Sequence, residues 1–148
     1  MKDSLSVIGT VSITLTDKDG NIKDQRTFPN MIVTVGKSYI TSRMSSNATS
    51  VIGWIGVGTS AAAPDAAQTA LQGTELFRGA ITVSGGTPST STVLYELTLA
   101  PGQGTGTIQE AGLFNAAAAG TMLARTTFAP ISKGASDSLN VSWTVTIG

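Results

Sequence analysis

The side chains able to do chemistry in this chain are few. None of its 148 residues is histidine or cysteine. That removes the commonest general base, the commonest transition-metal ligand and all thiolate reactions. Carboxylates remain. Glu75, Glu96 and Glu110 are candidates for the acid–base pair of a glycoside hydrolase, which needs two carboxyl groups flanking one bond. Nothing in their spacing pairs them. Each reads more simply as a charge on a strand face or as a partner for Arg78 or Arg125. No motif marks an activated nucleophile. No catalytic residue is assigned, and a non-enzymatic protein is expected.

Three further patterns resemble sites and fail on inspection. Gly56-Val57-Gly58-Thr59-Ser60-Ala61 fits G-x-G-x-x-A after a strand, but a dinucleotide site needs a helix opening there. Pro64 stops such a helix and no βαβ unit surrounds it, so a glycine-rich strand end is the better reading. Asp17, Asp19, Asn21 and Asp24 resemble part of a calcium loop. A calcium loop of that kind wants glycine at its sixth position and glutamate at its twelfth. Here Gly20 comes fourth and Phe28 falls twelfth, which makes the segment a hairpin turn. Asn47-Ala48-Thr49 is a glycosylation pattern by coincidence. No cofactor, metal or small-molecule substrate is expected.

Composition sets the class. Charged residues are 12% of the chain, against about 25% in ordinary soluble domains, and the formal net charge is zero. A neutral, charge-poor surface favours association. Without a basic excess there is no footprint for phosphate backbones, and 5% aromatics give few platforms for stacking bases, so no nucleic-acid partner is expected. The N-terminal Met-Lys-Asp-Ser-Leu-Ser has no apolar core, and the apolar runs are far too short to span a membrane. Synthesis in a cytoplasm, with no membrane partner, is the expectation.

The elements that must position any site are strands. Leu139, Val141, Trp143, Val145 and Ile147 alternate with Asn140, Ser142, Thr144 and Thr146, which puts all the apolar groups on one sheet face. The other face is hydroxyls and an amide without charge. Lone domains usually carry Lys and Glu there, so this face suggests contact with another protein. Leu5, Val7, Gly9, Val11, Ile13 and Leu15 alternate in the same way. Asp17-Lys18-Asp19-Gly20-Asn21 turns that strand into a partner over Ile22–Phe28. Met31–Val35 reads as a short strand and Lys37–Ser46 as the one short helix, with Tyr39, Ile40, Arg43 and Met44 at helical spacing.

Further strands are expected over Val51–Val57, Phe77–Val83, Val93–Leu99, Ile108–Phe114, Met122–Phe128 and Leu139–Ile147. Gly85–Ser91 and Pro101–Gly106 are loops, and Asp65 can cap a single helical turn through Ala70-Leu71. Eight or nine strands at this spacing predict an all-β fold: an antiparallel β-sandwich of jelly-roll type with one short helix. It forms a single domain over residues 1–148, in which 1–30 is an arm and hairpin able to extend to a neighbour. Trp143 is in register with the core face. Trp54 shares a face with Ile52, opposite Val51, Ile55 and Val57. That strand is therefore either central or covered on its outer side by a partner.

Three segments carry a family likeness. The first is Ile55-Gly56-Val57-Gly58-Thr59 through Pro64, with Thr69-Ala70-Leu71, Glu75-Leu76 and Arg78. The second is Gly104–Ile108 with Glu110–Asn115 and Gly120–Thr126. The third is Lys133–Leu139 leading into Trp143-Thr144-Val145. Together, over residues 30–148, these resemble small virion structural proteins of tailed bacteriophages. The short motifs are also similar to those of tail-fibre and tail-collar proteins. The resemblance implies a virion component without catalytic residues. The favoured placement is a capsid cement, or decoration, protein on the capsid exterior. Its partners would be the major capsid protein and further copies of itself, as dimers or trimers. The alternative is a tail-fibre or collar module in host adsorption. Cement fits better because the chain has no heptad stalk or collagen-like repeat for fibre growth.

The residues expected to make protein contacts are the least sandwich-like. Met1, Lys2, Asp3, Ser4 and Leu5 form an arm that can add to a neighbour's sheet edge. Trp54, and Ala62, Ala63 and Pro64 in the connector 59–65, are the others. Loops 85–91 and 101–106 are small, uncharged candidates of the same kind.

Overall fold

The computed structural model describes residues 3–45 and 49–148. Met1 and Lys2 of the expected arm, Ser46 at the end of the expected helix, and Asn47 and Ala48 of the glycosylation pattern lie outside the described residues.

Among the described residues the chain forms strands β1 (Val7–Thr16), β2 (Ile22–Pro29) and β3 (Met31–Ile32), then helix α1 (Thr34–Met44). Strands β4 (Trp54–Gly58), β5 (Glu75–Ala80), β6 (Thr87–Ser89) and β7 (Thr92–Leu99) follow. The series closes with β8 (Gly106–Phe114), β9 (Met122–Lys133) and β10 (Ser138–Ile147). Two five-stranded sheets result, with orders β2-β1-β10-β7-β6 and β3-β9-β8-β4-β5. Every pairing is antiparallel. The antiparallel all-β sandwich with one short helix is as expected; the strand order supports nothing narrower than that.

The alternating pattern makes the core. Val11, Ile13 and Leu15 of β1 pair with Trp143, Val141 and Leu139 of β10, and all six are buried. The facing sheet contributes Ile55, Val57, Ile108, Ala111 and Leu113 to the same cluster. Trp143 is fully buried, and its indole N–H donates to Asn30 Oδ1 at 2.8 Å. Gly9 makes that bond possible, since a Cβ there would fall 1.7 Å from Asn30 Oδ1. The β1–β2 turn is built by Asp17, whose Oδ1 accepts from the amides of Asp19 and Asn21, both at 2.9 Å, while Gly20 takes φ +85°. The hairpin is integral to the first sheet, with β1 between β2 and β10. Ser6 pairs with Gly148 in both directions, so of the arm only Asp3–Leu5 lie outside the sheet among the described residues.

Several boundaries differ from expectation. The helix starts at Thr34, not Lys37, and the strand before it stops at Ile32. Tertiary bonds decide this: Val33 N donates to Leu123 O and Thr34 N to Ala66 O, which satisfies the first turn from outside the helix. Strand β4 starts at Trp54, because Gly53 N turns to Phe114 O while Ile52 drops into the main core. Ile52 and Trp54 therefore do not share a face. Strand β9 runs to Lys133, and Thr87–Ser89 inside the expected loop pairs with β7. Asp65 caps a turn, with its Oδ1 on Ala67 N at 2.8 Å and its carbonyl on Gln68 N, but no helical turn reaches Leu71. The amides beyond it are drawn to a different carboxylate.

Candidate functional site

That carboxylate is Glu110, on the outer face of the second sheet. Oε1 accepts from Ser60 N at 3.1 Å and Gly73 N at 2.8 Å. Oε2 accepts from Gln72 N at 2.9 Å and from Arg125 Nε and Nη2 at 2.9 and 2.8 Å. Both side chains are fully buried. Arg125 Nη1 continues outward to Ala62 O at 2.9 Å and Gln68 Oε1 at 3.0 Å. Residues 59–74 are thus a strap laid over the sheet, held near both ends by Glu110 and between them by Arg125. Gln68 Nε2 donates to Ala63 O and Thr74 N to Thr59 Oγ1, which close the strap on itself.

The glycine spacing that suggested a phosphate cradle belongs to this packing. Gly58 lies across from Glu110 in the ladder, and a Cβ on it would sit 2.6 Å from Glu110 Oε1. Gly56 pairs with Gly112, and Cβ atoms on these two would lie within 3.2 and 2.7 Å of the Phe114 ring and within 3.4 and 3.0 Å of Leu71. The paired glycines leave a flat bed for that ring and that leucine. Arg78 lies over the Phe114 ring at 3.6 Å from its centroid. It also bonds Glu75 at 2.7 Å and donates to the carbonyls of Ala116 and Ala119. Trp54, Val35 and Leu71 pack on Val33, Phe114 and Met122 as a second apolar layer. The outer side of β4 is therefore covered by the chain's own helix and strap.

Glu75 and Glu110 both lie opposite Gly58 in the ladder, on either side of β4, but each is taken by its own arginine, and Glu96 is on the other sheet. Glu75 pairs with Arg78, Glu110 with Arg125, and Glu96 accepts from Ser142 Oγ at 2.8 Å on the other sheet. The partnering expected for Glu75 and Glu110 is what forms. Sequence reasoning missed that Glu110 also binds three strap amides. Its signal was a lone charge inside an otherwise uncharged strand.

The outer face of the first sheet is built differently. It presents Ile8, Thr10, Ser12 and Thr14 from β1, Gln25, Thr27 and Pro29 from β2, Asn140, Ser142, Thr144 and Thr146 from β10, and Thr92, Leu94, Glu96 and Thr98 from β7. Its side chains bond across strands: Ser12 to Thr27 at 3.0 Å, Asn140 Nδ2 to Thr98 Oγ1 at 3.0 Å, and Gln25 to Thr14 at 3.4 Å. Glu96 is the charged group among the side chains named. The face is exposed or half-buried along its length.

Of the expected contact residues, Asp3, Ser4 and Leu5 are exposed. Ala62 and Ala63 are exposed in side chain, while their carbonyls accept from Arg125 and Gln68. Pro64 and Trp54 are half-buried, Trp54 beneath helix and strap. No family model, curated protein or solved structure matches the chain.

Proposed function

We propose that this chain is a non-enzymatic structural protein of a tailed-bacteriophage virion, a cement protein that bridges major capsid subunits on the outside of the mature head. The observation that carries the reading is the hydroxyl-rich face of the first sheet, on which Glu96 is the one charge among the side chains named. The second sheet's outer face is covered by the chain's own strap and helix, whereas this one is left to solvent. Hydroxyl and amide groups exchange water for partner hydrogen bonds at small net cost, whereas buried charges carry a large desolvation penalty. A broad, nearly neutral face therefore suits docking on a protein lattice. The resemblance of the Ile55–Arg78, Gly104–Thr126 and Lys133–Val145 segments to phage virion proteins supports the same reading. Glu110, the most deeply buried carboxylate, is saturated by five donors, two of them from its salt-bridge partner Arg125, so its contribution is to hold the strap.

Cementing needs no chemical step. Each copy buries surface on neighbouring capsid subunits, and preferential binding to the expanded lattice stabilises that lattice by mass action. The test is co-sedimentation of purified protein with expanded and with immature heads. Binding to expanded heads alone is expected. Thr144→Lys, at the centre of the face, should abolish that binding while changing stability by less than about 0.5 kcal/mol. Equal binding to both kinds of head, or full binding by the lysine variant, contradicts the proposal.

A further inference from the structure

The two ends of the sandwich differ in character. The end bearing the β1–β2 turn carries Asp17, Lys18, Asp19, Lys23, Lys133 and Asp137. At the opposite end, where β1 begins and β10 finishes, exposed apolar side chains gather. Leu5 is 74% exposed, Met44 81%, Val83 50% and Ile147 42%. A cleft of about 360 Å³ opens between them. Val7, Ile52, Val93 and Val145 line it from the sandwich, and helix α1 lines it with Tyr39 and Ile40. Its charged lining residue is Arg43, which donates one hydrogen bond to Thr49 O at 2.7 Å and makes no ion pair among the described residues.

The arm leaves the sheet at this same end. Ser6 is bonded to Gly148 through both backbone groups, which fixes where the arm departs, next to the cleft-lining Val7 and Ile147. Leu5 does not fill its own cleft, as its exposure shows. In extended chain, residues two apart share a face about 6.8 Å from one another. Asp3 would then flank Leu5 as Arg43 flanks the cleft, with opposite charge. We infer that the cleft receives the arm of a second copy, with Leu5 inserted among Val93, Val145 and Ile52 and Asp3 paired to Arg43. Exchange in both directions closes a two-fold dimer and fills both clefts.

The chain lacks cysteine, so introduced thiols report cleanly. Leu5→Cys protein mixed with Met44→Cys protein should form a disulfide-linked dimer faster than either alone. Sedimentation of the unmodified protein should show a dimer, and Leu5→Ser should weaken it about a hundredfold or more, the loss of two buried leucines, one in each cleft. Arg43→Asp should weaken it and Asp3→Arg should restore it. Leu5 is exposed, so Leu5→Ser should keep the parent melting temperature. An unmodified protein that stays monomeric, a Leu5→Ser variant that sediments like its parent, or mixed thiol proteins that link no faster than either alone would overturn the inference. The assay uses purified protein alone, so its failure and a failure of head binding are distinguishable.

Discussion

Glu110→Gln is the most informative single substitution, because it removes one charge and almost no volume. The carboxylate accepts two bonds from Arg125 and three from strap amides in a site with no exposure. An amide has one acceptor oxygen, so its NH₂ must face either Arg125 and Gln72 N or the amides of Ser60 and Gly73. In both orientations donors oppose donors, and the Arg125 charge is left buried without a counterion. Removing one partner of a buried pair costs about 3–5 kcal/mol, a large share of the ~5–15 kcal/mol that holds a domain. For a chain of this size that lowers the melting temperature by roughly 10–15 °C. The assay is calorimetry together with amide hydrogen exchange. The amides of Ser60, Gln72 and Gly73 should lose protection first, ahead of the β1–β10 ladder. The double variant Glu110→Leu with Arg125→Met should regain most of the thermal stability without restoring protection at the strap. A Glu110→Gln protein that melts within about 2 °C of its parent and keeps those amides protected would refute the argument.

Other expectations concern helix packing and pH. Gly36→Ala should destabilise by about 1–3 kcal/mol, because its Cβ would lie 2.1 Å from the Leu123 backbone carbonyl, which has little room to move; thermal melts check this. Burial, then the neighbouring Tyr39, pushes the Tyr95 phenol up from 10.0 to about 12. Its folded value lies above its unfolded one, so its contribution is complete below pH 10 and lost as pH rises through 12. The loss is about 2–3 kcal/mol, and Tyr95→Phe should remove that step from an alkaline stability profile. The hydrogen bond from Lys23, then that from Gly134 N, holds the Asp137 carboxyl below 3.8. That stabilisation is present above pH 3.8 and fades as pH falls through the folded value, so Lys23→Met should flatten the acid limb of the same profile.

The parts of this fold that were legible in the sequence are those set by local periodicity. The alternation of Leu139–Ile147 and of Val7–Leu15 needs no distant information, and these strands pair as neighbours through ten registered positions. The Asp17–Asn21 turn carries its own hydrogen bonds. What was hidden is long-range. Nothing near Ser60 or Gln72 announces that a carboxylate 50 or 38 residues away will capture its amide. The same connector hides the cap of α1, since Thr34 N finds its acceptor at Ala66. Gly56 and Gly58 were visible as a motif, but their physical role needs Gly112, the Phe114 ring, Leu71 and Glu110 in place. The neutral outer face was readable from β10 alone; that it spans four strands required the register.

Difference-density imaging of intact virions, with and without this protein, tests the functional reading most directly. The cement account predicts added density spread over the icosahedral shell at capsid-subunit junctions, with the outer face of the β2-β1-β10-β7-β6 sheet against the lattice. Density confined to the tail or collar, over a bare shell, would contradict it and move the protein to the adsorption apparatus.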